Sequence, residues 1–143
     1  MFERGAIARA RSKNVQKGGS STEPKRILVV DDDQMIRDTL SDLLVAEGYD
    51  VDTVETAGEA IRKAKDVRYD VGLLDIKLPD MDGTRLLEKL QVVQPAMIKI
   101  MVTGYSTVEN AAKSMNYGAA DYILKPVYPE TLIQLLKERL ADG

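Results

Sequence analysis

Six side chains carry most of the chemistry this sequence has to offer. Asp31, Asp32 and Asp33 are consecutive and follow Ile27-Leu28-Val29-Val30; Asp75, Thr103 and Lys125 each stand directly after a short apolar run of their own. Carboxylates packed side by side repel one another, so such a cluster calls for a cation. An all-oxygen donor set suits a hard ion such as Mg²⁺, which keeps waters and takes one or two carboxylates together with a phosphoryl oxygen. A carboxylate beside that ion stays ionised and can attack phosphorus, giving an acyl phosphate. Lys125 is suited to neutralise a phosphoryl oxygen and Thr103 to hydrogen-bond one, so the set would act through positioning and charge. The chain has no His and no Cys. That excludes Ser-His-Asp and Cys-His catalysis, histidine or thiolate metal sites, and a phosphohistidine within this chain.

Taken singly, an acidic run is ordinary solvated surface, a Thr after a strand is a turn residue, and a Lys is solvated. The chemistry requires a fold that brings all four segments to one edge, and the hydrophobic pattern supplies one. Ile27–Val30 and 71–74 are short apolar runs that read as buried strands, 97–102 is a third, 120–124 another, and 51–54 a weaker, outer one. Between them lie helical patterns. Ile36, Leu40, Leu43 and Leu44 share a face that stops at Gly48, and Thr56-Ala57-Gly58-Glu59 has capping-box spacing ahead of Ile61 and Ala64. Asp82 or Gly83 opens a helix with Leu86, Leu87, Leu90 and Val93. Ser106-Thr107-Val108-Glu109 is a second capping box, for a helix ending at Gly118, and Pro129 sits in the first turn of a last helix with Leu132, Leu136 and Leu140. Five strand-helix alternations predict an α/β fold with a parallel sheet covered on both faces. Five strands fit the doubly wound flavodoxin-like order 2-1-3-4-5 better than the six-stranded dinucleotide order. In such sheets function collects at the carboxyl ends of the strands, where strand order reverses, and those ends carry Asp31–Asp33, Asp75, Thr103 and Lys125.

The chain has 143 residues, 44% hydrophobic and 30% charged, which suits one domain with a real core. No apolar run approaches the roughly 18 residues of a membrane span. The net charge of −3 argues against bulk nucleic-acid binding. Residues 1–24 are basic, with Arg4, Arg9, Arg11, Lys13 and Lys17 against Glu3 and Glu23, and end in Gly18-Gly19-Ser20-Ser21. They read as a flexible tail or linker, and 25–143 as the folded domain.

The span from 25 to 141 closely resembles the receiver domain of two-component response regulators. The pieces that carry the resemblance are ILVVDDDQMIR (27–37), YDVGLLDIKLPDMDG (69–83), MVTGYS (101–106) and YGAADYILKP (117–126), in that order. The second is the most specific. The resemblance implies that Asp75 is the phosphoacceptor, Asp32 a direct Mg²⁺ ligand, Asp31 a ligand through water, and the Lys77 backbone carbonyl the third protein ligand. It implies that Thr103 reaches the phosphoryl group, that Lys125 pairs with it after a cis Lys125-Pro126 bond, and that Tyr122 is an aromatic switch turning inward as Thr103 moves. Asp33 matches a position that is often acidic without being a ligand. Lys77 and Tyr105 match positions flanking the path of attacking water, and their bulk predicts slow loss of the phosphoryl group.

The implied function is a cytoplasmic switch that takes a phosphoryl group from a histidine kinase or histidine phosphotransfer protein. It is not a turnover enzyme in the ordinary sense. Output would run through residues 106–140 to a partner or domain, with a phosphorylation-dependent homodimer as one form. The chain would be a stand-alone receiver or an excised module. Two other readings compete. An aspartyl-nucleophile phosphatase normally has a second carboxylate two residues past the nucleophile, where this chain has Lys77. A receiver that binds partners without phosphorylation would not need the full acid, Thr and Lys set.

Overall fold

A computed structural model of the chain describes residues 23–104 and 107–141. Strands β1 (Arg26–Val30), β2 (Asp50–Val54), β3 (Val71–Leu74), β4 (Ile98–Thr103) and β5 (Asp121–Leu124) alternate with helices α1 (Gln34–Ala46), α2 (Ala57–Asp66), α3 (Gly83–Val93), α4 (Val108–Asn116) and α5 (Pro129–Leu140). The strands form one parallel sheet in the order β2-β1-β3-β4-β5, the flavodoxin-like order expected from the sequence. The expected tail, residues 1–24, lies almost wholly outside the described residues.

Alternation along the strands divides the core into two layers. Leu28, Val30, Leu74 and Met101 face Ala60, Ala64, Leu86, Leu87 and Leu90 of α2 and α3. Ile27, Val29, Leu73, Ile100 and Val102 face Leu40 and Leu44 of α1 and Leu132 and Leu136 of α5. Each fully buried Leu or Ile removes apolar area worth roughly 1.5–3 kcal/mol from water, so the sheet centre is the most strongly held part of the molecule. β1 and β3 are buried almost throughout, which is why they read as unbroken apolar runs.

The helix starts follow local chemistry with two departures from expectation. Thr56 caps α2 by accepting from the Glu59 amide, but the Glu59 carboxylate reaches back to the amide of Glu55, not of Thr56. Thr107, not Ser106, caps α4. Its backbone is extended and its hydroxyl accepts from the Asn110 amide, which moves the cap one residue along the expected box. Gly118 follows the C-cap of α4 with φ +98°, the left-handed conformation a glycine takes at little cost.

Candidate functional site

Register brings the acids together. Val30 of β1 pairs with Leu74 of β3, so the next residues, Asp31 and Asp75, emerge level on neighbouring strands. The ladder continues past both ends: the Asp31 amide donates to the Val54 carbonyl and the Asp75 amide to the Val30 carbonyl, at 3.1 and 3.0 Å. Carboxylate oxygens of Asp31, Asp32 and Asp75 all lie within 4.8 Å of one another. Asp31 and Asp75 are buried and Asp32 is exposed, so the trio has a closed floor and an open side.

The fourth charge arrives from β5. Leu124 pairs with Thr103, and Lys125 follows at the strand end with its amide bonded to the Thr103 carbonyl. Its Nζ lies 2.7 Å from Asp31 Oδ2 and 3.1 Å from Asp75 Oδ2. Burial pushes the Asp31 carboxyl above the usual range, opposed by the hydrogen bonds from Lys125 and from the Asp33 amide. For Lys125 the balance falls the other way. Burial pulls its ammonium down, but the two carboxylates together hold it above the ordinary lysine value. The Lys125-Pro126 bond is cis, as the resemblance implied.

These groups line one open cleft of about 570 Å³, together with Thr103, fully buried at the end of β4, and Lys77, exposed on the β3–α3 loop. Every strand-end residue singled out from the sequence therefore reaches the same cleft. Tyr122 is half-buried and packs against the α2–α3 layer. Tyr105 lies outside the described residues.

The β3–α3 loop is shaped by the tight turn that ends the Asp75 segment. The Gly83 amide donates to the Ile76 carbonyl at 2.6 Å, and Lys77 bridges antiparallel to Asp82. A Cβ on Gly83 would stand 2.0 Å from the Asp75 carbonyl oxygen, so only glycine fits there. Asp82 then caps α3, accepting from the Thr84 amide and hydroxyl at 2.8 and 2.7 Å.

Comparison with known proteins decides the family. A family model for the response regulator receiver domain matches residues 27–137. The chain belongs to that family. The transcriptional regulatory protein ZraR of Escherichia coli (strain K12) is 34% identical over 115 residues, 80% of this chain and 26% of the relative. This receiver domain thus spans about a quarter of the length of the curated relatives it matches. A CheY-like receiver domain protein from Methanospirillum hungatei JF-1 is 49% identical with a TM-score of 0.82, covering 84% of this chain and 96% of that one. A response regulator protein from Burkholderia pseudomallei, solved with a phosphorylated aspartic acid, calcium ion and citrate, is 25% identical with a TM-score of 0.73, covering 83% of this chain and 75% of that one.

Several residues of this receiver domain escaped sequence reasoning. Asp33 turns away from the acid trio and caps α1, accepting from the amides of Met35 and Ile36. An Asp immediately before an amphipathic helix was the available signal. Arg37 supports the floor of the site by donating to the Asp31 carbonyl at 2.7 Å. Lys99, the second residue of β4, is 1% exposed and donates to Gln91 Oε1 and the Gln94 carbonyl, both at 2.6 Å. No local feature of the sequence announces that.

Proposed function

We propose that this receiver domain accepts a phosphoryl group on Asp75 from a phosphohistidine donor, a histidine kinase or phosphotransfer protein, and changes conformation in response. The observation that carries the reading is the meeting of Asp31, Asp32, Asp75 and Lys125 in one open-sided cleft. The oxygen donor set fits Mg²⁺: hard carboxylates close enough to share one ion, with Asp32 facing solvent where the ion's waters would remain. Asp32, Asp75 and the Lys77 carbonyl would hold the ion directly and Asp31 through water. When bound, it would neutralise charge on the acids and on the incoming phosphoryl oxygens.

Asp75 supplies the attacking oxygen. As its O–P bond forms, the donor's P–N bond breaks, and the imidazole leaves neutral with the proton on its other ring nitrogen. Lys125, already bonded to Asp75, follows the charge onto a phosphoryl oxygen, and the Thr103 hydroxyl donates to another. Movement of Thr103 would open the space into which Tyr122 turns. The output surface would be 106–140, where Leu124 and Tyr128 are 52% and 64% exposed on β5 and at the head of α5, and where a second copy or another output partner would dock. On this reading the receiver domain is 25–143 and its setting is cytoplasmic. No described helix is long and apolar enough to cross a membrane.

The phosphatase reading is weaker because the position two past Asp75 holds the exposed Lys77, which cannot serve as a carboxylic acid. The Burkholderia relative, which carries a phosphorylated aspartic acid, supports the acceptor reading. The deciding experiment is incubation with acetyl phosphate and Mg²⁺ followed by intact mass measurement. The expected result is one phosphoryl increment on the wild type and none on Asp75→Asn. An increment of equal size on both would place the acceptor elsewhere and end the reading.

A further inference from the structure

The tip of the β3–α3 loop is held from outside by a carboxylate that the phosphoryl chemistry does not use. Asp80 accepts from the Ala57 amide through Oδ1 and from the Gly58 amide through Oδ2, both at 2.9 Å. These are two of the otherwise unpartnered donors of the first turn of α2, at the positive end of the helix. The same two bonds hold the Asp80 carboxyl below the usual carboxylate range, with Arg62 adding to the effect. The contact is close: a Cβ on Gly58 would stand 3.3 Å from Asp80 Oδ2. So α2 has two caps, Thr56 from its own chain neighbourhood and Asp80 from 22–23 residues away.

The loop so held is the one that would supply two of the ion's three direct protein ligands. Between Asp75 and Gly83 it is fixed at its base by the Gly83–Ile76 bond and the Lys77–Asp82 bridge, and at its tip by Asp80. We infer that Asp80 is a positioning residue: by tying the loop tip to the first turn of α2 it sets the Lys77 carbonyl for Mg²⁺. The inference rests on the acceptor reading above for the identity of the ion and its ligands. Groups that orient a metal's ligands without touching the metal commonly change its affinity by about 10-fold or more when removed.

Calorimetric titration of Mg²⁺ into the wild type, Asp80→Ala and Asp80→Asn tests this directly. Both substitutions delete the negative charge, but Asn keeps one side-chain oxygen, which can accept from one of the two α2 amides. The expected result is a Kd for Mg²⁺ raised about 10-fold in Asp80→Ala and no more than about 3-fold in Asp80→Asn. The Mg²⁺ concentration giving half-maximal labelling by acetyl phosphate should rise in parallel, with the rate at saturating Mg²⁺ within about 2-fold of wild type. A purely structural role would lower the melting temperature without moving the Kd. Equal Kd values in wild type and Asp80→Ala overturn the inference. So does an Asn variant as weak as Ala, which would assign the effect to charge. If Asp80→Ala fails to fold, Asp80→Ser takes its place: its hydroxyl is too short to reach both α2 amides, so the same rise of about 10-fold is expected, and a Kd equal to wild type overturns the inference. A wild type that takes up no Mg²⁺ would refute the acceptor reading itself, an outcome distinct from either.

Discussion

The acid-bearing half of the sheet and the half that ends in β5 are built to different standards. β1 and β3 are buried almost end to end, and α3 contributes five buried residues to the layer above them. β5 has no fully buried residue, and Ser114 is the single fully buried residue among the described side chains of α4. The difference matches two jobs that the proposed function requires. A nucleophile that must meet an ion and a phosphoryl group within tenths of an ångström belongs on the most strongly held strands. An element that must change position when phosphate arrives has to be held weakly enough for the differential binding of one group, a few kcal/mol, to move it. Lys125 spans the two, rooted in β5 and bonded to Asp31 and Asp75.

The strongest way to break this comparison is to disturb the deep half at its tightest point. In Gly83→Ala the new methyl group would meet backbone on all three nearest atoms, the Asp75 carbonyl oxygen and carbon and the Ile76 Cα. Backbone cannot rotate aside as a side chain can. The expected loss is above about 3 kcal/mol in urea unfolding, together with a sharp fall in acetyl-phosphate labelling because Asp75 itself must move. A variant that unfolds like wild type would show that the loop yields easily, and that the acids are not held as rigidly as their burial suggests.

A paired truncation measures the contrast itself. Leu86 of α3 is completely buried, and Leu86→Ala should cost about 3 kcal/mol through lost burial and the cavity left behind. Met115 of α4 is 51% exposed, and Met115→Ala should stay within about 0.5 kcal/mol. Comparable losses would mean that α4 is as firmly seated as α3, and the division of labour would fail.

What could be read in the sequence follows from the range of each interaction. Asp31, Asp75, Thr103 and Lys125 each follow an apolar run, so a period-based reading of strands is enough to place these four at one edge. The alternation gives a parallel sheet, and the count of five strands favours the order 2-1-3-4-5. Three consecutive aspartates look alike in a sequence, however, and only the turn into α1 gives the Asp33 carboxylate to the helix amides while those of Asp31 and Asp32 stay with Asp75 in the acid trio. The Asp80 tie joins residues 22–23 apart, and Gln91 meets the carbonyls of Tyr117 and Gly118 26–27 residues on. No periodicity encodes such pairings. The displaced α4 cap shows a finer limit: Ser106 and Thr107 have the same chemistry, so residue type alone does not choose between them, and Thr107 is the cap.

Lys99 gives the smallest effect, and it probes the seam between the halves. Its ammonium bonds Gln91 and the Gln94 carbonyl on one side of the seam, and Gln91 in turn donates to the carbonyls of Tyr117 and Gly118 at the end of α4. The weakly buried helix is therefore anchored at its far end by a polar relay. Burial without an acid partner pushes Lys99 down to about 8, below its ordinary 10.5. A folded-state value below the unfolded one means that the unfolded chain binds more protons between these two values. The penalty for the buried charge is then fully present below pH 8 and relieved as pH rises toward 10.5. From pH 8 to 10 the wild type should gain stability relative to Lys99→Met, on the order of 2 kcal/mol. Tyr49 and Lys125, both held above their ordinary values, occur in both proteins, so they drop out of the difference. Urea unfolding of the two proteins at pH 7, 8, 9 and 10 gives the curves. Parallel curves would mean that the two 2.6 Å bonds hold the charge without penalty, making the seam as well satisfied as the deep half it joins.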